Sequence, residues 1–167
     1  MRVLADGKTK LALLTTEPAN PAAPTAAELT AGIDLSCKVV ASDFEFGPTD
    51  SETVAEPALC DEGNAEALGR SNYTAAMSLW REYLEAGGID PAADAAFEAV
   101  KVKGATFWLY GRRTDKPALD PWLAADEIFF GAEVTNDTPQ MQAEGWLKAR
   151  VPMKVQKGYP FIEVAAA

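Results

Sequence analysis

Side chains able to carry enzyme chemistry are scarce in this 167-residue chain, which contains no histidine. A Ser-His-Asp triad is therefore impossible, and a cysteine nucleophile would lack the imidazole base that normally activates it. Carboxylate pairs of the glycosidase type arise by chance among 25 acidic residues, so they carry little information. The sequence therefore predicts a protein that is not an enzyme.

Motifs for phosphates and metals are equally weak. Residues 63–71 faintly resemble a phosphate-binding loop, but the glycine spacing is wrong and the lysine is missing. Residues 61–64 (Asp-Glu-Gly-Asn) lack the regular spacing of a calcium loop. Cys37 and Cys60 match no zinc or redox spacing, and we expect two small buried thiols. No cofactor and no metal is predicted.

The charge is polarised along the chain. The net charge is −10, and residues 35–100 carry thirteen acidic but only three basic side chains. Residues 101–167 are nearly balanced, with nine basic and eight acidic side chains. Such a bias can simply keep a surface soluble. It disfavours nucleic-acid binding through a broad phosphate footprint, because that requires clustered lysine and arginine.

Segments that target or insert into membranes are not evident. Asp6, Lys8 and Lys10 interrupt any apolar run near the start of the chain. No apolar stretch approaches the roughly 20 residues that a membrane-spanning helix needs. We therefore expect no membrane insertion.

Periodicity predicts a mainly β, α+β fold in a single domain spanning residues 1–167. Short apolar or alternating runs indicate strands, while Asp90 and Pro91 form a helix start before an alanine-rich stripe. Pro152 within the last strand suggests a sheet edge or a bulge. The predicted strands are 8–15, 37–46, 105–111, 127–135 and 146–157, and the predicted helix is 91–100.

Three segments are less regular. Residues 17–28 contain three prolines and five alanines, which predicts an extended arm or a flexible leader within an N-terminal region at 1–35. The acidic stretch 47–64 is expected to be a hairpin loop, with Gly47-Pro48 ending the strand before it. Residues 71–86 fit a helix slightly better than a strand. Residues 158–167 are expected to be a C-terminal tail behind a sandwich at 36–157.

The last predicted strand alternates almost strictly between apolar and basic residues. Leu147, Ala149, Val151, Met153 and Val155 share one face, which is expected to be dry. The other face is basic and wet, and it carries Lys148, Arg150 and Lys154.

Four tryptophans could form a sugar-binding platform together with Tyr110. Aromatic side chains within apolar strands are more often core or interface. We expect Trp108 in the core and Trp122 at an interface, and a monomeric β-sandwich that binds a glycan or a protein remains an alternative. The tryptophans are Trp80, Trp108, Trp122 and Trp146.

The order of several motifs resembles a known family. Leu29-Thr-Ala-Gly-Ile-Asp-Leu-Ser36 leads into a strand pair, and Ser51-Glu-Thr-Val-Ala-Glu-Pro-Ala-Leu-Cys60 and Leu68-Gly-Arg-Ser-Asn-Tyr73 follow. Leu79-Trp-Arg-Glu-Tyr83 and then Trp108-Leu-Tyr-Gly-Arg112 complete the series. Over about residues 29–157 the chain resembles the major tail tube protein of long-tailed, non-contractile bacteriophages, especially those of actinobacteria.

The resemblance implies an antiparallel β-sandwich flanked by one α-helix, with a strand rather than a helix at 73–83. Subunits of this family form hexameric rings that stack into a hollow tube, and each contributes strands to a β-barrel around the lumen. The stretch 48–64 corresponds to a hairpin loop that reaches the next ring, and N-terminal arms also bridge subunits.

The implied partners are further copies of the chain, a tape-measure protein and tail-terminator or baseplate proteins. Phage DNA would pass through the lumen without specific binding. The implied location is the virion tail, assembled in the host cytoplasm. A tube-like subunit of a bacterial injection device and a tail terminator are alternatives of the same class.

Charge then suggests two roles in assembly. We expect some of the acidic residues to line the channel or its rim, where negative charge repels phosphate, or to contact the next ring. We expect Lys148, Arg150 and Lys154 to pair with acidic groups of an adjacent subunit. The acidic candidates are Asp43, Glu45, Asp50, Glu52, Glu56, Asp61 and Glu62.

Overall fold

The computed structural model describes residues 1–63 and 65–166. Asn64 of the predicted hairpin and of the calcium-loop segment, and Ala167 of the predicted tail, therefore lie outside the described residues. Within them the chain is mostly antiparallel β-structure with two short helices. The elements are β1 (Thr9–Leu14), α1 (Ala26–Ala31), β2 (Ile33–Asp34), β3 (Glu45–Thr49), β4 (Thr53–Ala55), β5 (Glu66–Leu68), β6 (Asn72–Trp80), α2 (Ala95–Val100), β7 (Thr106–Arg113), β8 (Glu127–Asn136), β9 (Gln140–Gln142) and β10 (Lys148–Glu163).

The long strand β10 divides the main sheet into two layers. Its first residues, Lys148 to Met153, pair with β6, while the stretch from Met153 to Glu163 pairs with β8. A register shift between Val155 and Lys157 marks a bulge where the strand bends. The small sheet has the order β3-β6-β10-β9, and the large sheet has the order β10-β8-β7-β1-β2.

The main core lies between these two sheets. The predicted dry face of β10 is confirmed for Ala149, Val151 and Met153, which are buried there. Phe46 of β3 packs edge-on against Phe130 of β8, with ring centroids 4.8 Å apart. Helix α2 also contributes buried side chains to this core. The sequence-based expectation of an antiparallel β-sandwich is thereby confirmed.

A second core covers the opposite face of the large sheet. Ala12, Tyr110 and Ile128 project from the strands and pack with Leu29 of α1 and with Trp122. Residues 17–28 lie over this face, because the Tyr110 hydroxyl donates a hydrogen bond to the Pro21 carbonyl at 2.9 Å. The predicted arm is thus ordered against its own chain. The prediction for Trp122 was wrong, since only 5% of it is exposed.

The C-terminal part of the predicted arm is helical. Thr25 caps α1, and its hydroxyl accepts a hydrogen bond from the Glu28 amide. The Glu28 carboxylate accepts from the Thr25 amide in return, which completes a capping box. Backbone hydrogen bonds from Ala19 and Thr25 hold the pKa of Glu28 below its ordinary value. The expectation of a single helix was therefore wrong.

A buried ion pair anchors the loop that covers the second core. Arg112 is fully buried and donates to the Asp126 carboxylate at 2.8 Å and to backbone carbonyls of residues 117–121. Burial opposes ionisation of Asp126. Hydrogen bonds from Lys116, the Leu123 amide and Arg112 outweigh it, so the pKa of Asp126 lies below its ordinary value.

Several element boundaries differ from those predicted. The strand expected at 37–46 begins only at Glu45, and Ala41–Asp43 form a short 3₁₀ helix before it. Strand β3 continues through Gly47-Pro48, because an edge strand tolerates a proline that cannot donate a hydrogen bond. Asp90 caps a preceding turn through the amides of residues 92 and 93, so α2 begins only at Ala95. The predicted tail at 158–167 is largely the second half of β10.

Two further expectations have clear outcomes. For the segment at 73–83, periodicity slightly favoured a helix and the resemblance implied a strand. The structure has strand β6 (Asn72–Trp80) there, so the strand is confirmed as far as Trp80. Cys37 and Cys60 are both exposed rather than buried, and neither forms a disulfide.

Candidate assembly surfaces

The acidic hairpin is a separate unit on the surface. Strands β4 and β5 pair only with each other, and every described residue from 52 to 71 is exposed. The second strand lies beyond residue 64, so the hairpin is longer than the predicted 47–64. A two-stranded sheet without a covered face is marginally stable in water. This hairpin therefore has the properties of an element that is completed by another molecule.

The seven acidic candidates fall into two groups. Asp43 precedes β3 and accepts a hydrogen bond from the Ser78 hydroxyl at 3.1 Å, and Glu45 begins β3. The others follow the opposite end of β3 and belong to the hairpin. Within the described residues, none of the seven forms an ion pair. The hairpin group comprises Asp50, Glu52, Glu56, Asp61 and Glu62.

The three basic candidates lie on the outer face of the small sheet, away from the main core. Lys148 is opposite Trp80 and Arg150 is opposite Ser78, so both project from the same face of β10. Lys154 is exposed, and Lys148 and Arg150 are half-buried. No carboxylate in the described part of the chain pairs with any of the three. The structure thus leaves these cations available for groups outside the chain.

Acidic and basic candidates share this outer face. Glu45 is opposite Ala76, which is opposite Pro152, between Arg150 and Lys154. Directly opposed residues in antiparallel strands project to the same side, so Glu45 projects from the same side as Arg150 and Lys154. The face is therefore of mixed charge, with its acidic groups near β3 and its basic groups on β10.

The small sheet has two open edges, β3 and β9. The three strand pairs within it are all antiparallel, so the directions alternate across β3, β6, β10 and β9. Strand β9 of one copy would consequently meet β3 of another copy in antiparallel orientation. Open edges with unpaired backbone groups are templates for pairing with another chain.

The five aromatic residues considered for a sugar platform are not on one surface. Tyr110 and Trp122 are buried in the second core, and Trp108 packs half-buried against it. Only Trp80 and Trp146 line a common groove, with Tyr83 and Leu147. The predicted platform is therefore not formed.

Comparison with known proteins gives one decisive match. A family model described as phage tail tube protein matches residues 1–167, the whole chain. The chain belongs to the phage tail tube protein family. No curated protein matches it. The resemblance to tail tube proteins drawn from the order of sequence motifs is confirmed.

Membership identifies the tail tube protein as a structural component of the phage virion tail that assembles into a tube with other tail proteins. Among the described residues, no cluster of three metal-ligating side chains occurs. None of the described helices is long and apolar enough to span a membrane. The features that remain for function are the exposed hairpin, the open sheet edges and the unpaired charges.

Proposed function

We propose that this tail tube protein closes into hexameric rings through the edges of its small sheet, and that the rings stack into the hollow tube of a long, non-contractile tail. The tube conducts phage DNA into the host cell. The observation that carries the proposal is the pair of open edges, β3 and β9, at the two sides of one alternating sheet.

The geometry supports closure of this sheet across subunits. Because β9 of one copy and β3 of the next run antiparallel, each ring seam repeats the pairing already present within the subunit. Such a contact uses two different patches, so it is heterologous and closes into a ring when the rotation per copy is suitable. A closed barrel leaves no open edge and removes the associated aggregation hazard.

Charge complementarity supports the same seam. Arg150 and Lys148 lie one strand inside β9, opposite Gln140 and Gln142. A neighbouring β3 would be two strand spacings away, about 10 Å, which arginine and glutamate side chains together can bridge. We propose that Lys148, Arg150 and Lys154 pair there with acidic groups of the adjacent subunit, including Asp43 and Glu45.

Pairing at the seam also bears on DNA passage. Once the basic residues are neutralised across the seam, the acidic hairpin residues leave the channel or its rim negative. A positive lumen would hold DNA non-specifically at roughly 10⁻⁴–10⁻⁶ M per contact patch and impede its movement. A negative one repels phosphate, which suits genome ejection without specific binding.

The remaining parts of the proposal follow from this role. The protein has no catalytic function and no cofactor, and it does not insert into a membrane. Its partners are a tape-measure protein and tail-terminator or baseplate proteins, and assembly takes place in the host cytoplasm. A ring that does not stack would indicate a terminator instead, and an origin outside a virion would indicate a bacterial injection device.

Size-exclusion chromatography followed by negative-stain microscopy tests the proposal. The purified chain is examined over a range of protein concentrations and salt concentrations. Rings or hollow tubes of regular diameter are expected. A monomer that persists under all conditions, particularly one that binds glycans, would refute the proposal in favour of a binding module.

A further inference from the structure

We infer that the Trp146 side chain of one copy docks into a cavity of the neighbouring copy in the same ring, an inference that rests on the proposed pairing of β9 with β3. Trp146 lies in the loop between β9 and β10 and is 83% exposed. This side cavity lies between the start of β1, the end of β7 and the segment before β3, and its lining includes Leu11, Leu35, Val39, Ala41, Phe44 and Arg113.

The position of the loop along the sheet is the first reason. Strand β9 runs antiparallel to β10 and ends at Gln142, opposite Lys148. Lys148 is the first residue of β10 and lies opposite Trp80, the last residue of β6. Strand β3 begins at Glu45 and runs antiparallel to β6, so it starts towards this same end of the sheet. In the proposed pair, the loop after β9 therefore lies beside the residues that precede β3 in the next copy.

Those residues before β3 form one wall of the side cavity. Val39 is bridged to Leu79, and the Ser78 carbonyl accepts a hydrogen bond from the Val40 amide, on the edge of β6 that β3 also occupies. The cavity thus adjoins the β3 edge of the subunit, whereas Trp146 follows the β9 edge. A contact that repeats around a ring requires two such different patches at opposite sides of one subunit.

The size and chemistry of the cavity fit an aromatic ring. Its volume is about 130 Å³, and a dry apolar cavity of roughly 150 Å³ holds benzene. Leu11 and Leu35 are buried, whereas Val39 and Phe44 are only half-buried in the isolated chain. Docking Trp146 removes apolar surface of both copies from water. Tryptophan side chains that fill such pockets are typical anchors of protein interfaces.

Charge complementarity supports the same contact. Among the described residues, Arg113 is the one charged side chain that lines the cavity, and no carboxylate pairs with it. It donates to the Thr9 hydroxyl and lies over the Phe129 ring, 4.9 Å from its centroid. Glu144, two residues before Trp146, is exposed and unpaired in the described part of the chain. Docking brings Glu144 towards Arg113.

A docked tryptophan would complement a seam of short strands. Strand β9 has three residues and β3 has five, so backbone pairing between them forms few hydrogen bonds. A one-residue slip in such a pair moves every side chain to the other face. Because Trp146 fits one cavity, it fixes the register of the seam as well as adding buried apolar area.

Cross-linking within the ring tests the inference. In a Cys37→Ser/Cys60→Ser background, Ala143→Cys places a thiol beside Trp146, and Ala41→Cys places one in the cavity lining. Both alanines are exposed, so assembly should resemble that of wild type. Treating the assembled protein with a short bismaleimide should give a ladder on a denaturing gel that ends at the hexamer. Each variant with only one of the two new thiols should stay monomeric.

The possible outcomes separate this contact from the ring itself. Rings or tubes that give no ladder would overturn the docking inference and leave the proposed function intact. A ladder that continues beyond six copies would place the contact between rings and also overturn the inference. Absence of rings and tubes from the wild-type protein would instead contradict the proposed function.

Removing the indole provides an independent check. Trp146→Ala should raise the protein concentration needed for half-maximal assembly at least about tenfold, as expected for an interface anchor, and Trp146→Phe should raise it less. Phe161→Ala is the matched control, because Phe161 is an aromatic side chain of similar exposure, 72%, on the part of β10 that pairs with β8. Its assembly should equal that of wild type. Equal effects of Trp146→Ala and Phe161→Ala would overturn the role of the side cavity.

Discussion

Replacing Asp126 by asparagine should destabilise the subunit, because it removes one partner of a buried ion pair. Asp126 and Arg112 are 5% and 0% exposed, and the Asp126→Asn change leaves the Arg112 guanidinium charged in the interior. Removing one partner of a buried ion pair typically costs about 3–5 kcal/mol, because the remaining charge stays unsolvated. Asparagine retains one acceptor oxygen, so we expect the lower end, about 3 kcal/mol.

The expected signal is a fall in melting temperature. For a protein of this size, each kcal/mol corresponds to about 2–4 °C, so Asp126→Asn should lower the midpoint by about 6–12 °C. Thermal unfolding of the unassembled protein is the assay. Glu127→Gln is the matched control, because Glu127 is the adjacent residue, is exposed and should stay within about 0.5 kcal/mol of wild type.

Equal midpoints for Asp126→Asn and Glu127→Gln would refute this reasoning about the buried pair.

Three more predictions concern the seam, the core and pH. The double variant Arg150→Glu/Lys154→Glu should impair tube formation, whereas the control Lys101→Glu/Lys103→Glu should not. Light scattering at matched protein concentrations measures assembly of both. Equal assembly of the two variants would count against the proposed seam. Gly131→Ala should lower the free energy of unfolding by about 1–3 kcal/mol through overpacking, because the added Cβ would lie 2.6 Å from the Tyr110 ring. Gly63→Ala is the control, since a Cβ there meets no neighbour. Equal denaturant midpoints for the two variants would contradict this prediction. Because the pKa of Asp126 is lowered on folding, its ionised carboxylate stabilises the fold above the ordinary pKa of 3.8, and this stabilisation is lost as pH falls through the folded-state pKa. The acid unfolding curves of wild type and Asp126→Asn should therefore converge at low pH. A stability difference between the two proteins that stays constant with pH would contradict this reasoning.

Local periodicity was sufficient for most of the β-structure. The alternation from Ala149 to Met153 identified a strand with one buried face, and the apolar runs at 105–111 and 127–135 became β7 and β8. It failed where tertiary context decides. Tyr73 and Met77 fit a helix as well as a strand, and only pairing with β10 and β3 settles the choice. Gly47-Pro48 suggested a stop because edge position is not visible in sequence.

The candidate surfaces were predictable in composition but not in arrangement. The acidic segment and the basic face of β10 follow directly from the sequence. Their division was not predictable, because Asp43 lies at one end of β3 and the hairpin at the other.

Helical reconstruction of the assembled protein by cryo-electron microscopy tests the central claim most directly. We predict a hollow tube in which β9 of each subunit hydrogen-bonds to an antiparallel β3 of its neighbour around every ring. An ordered assembly that leaves both of these strand edges unpaired, or one held together only through the large sheet, would contradict the account.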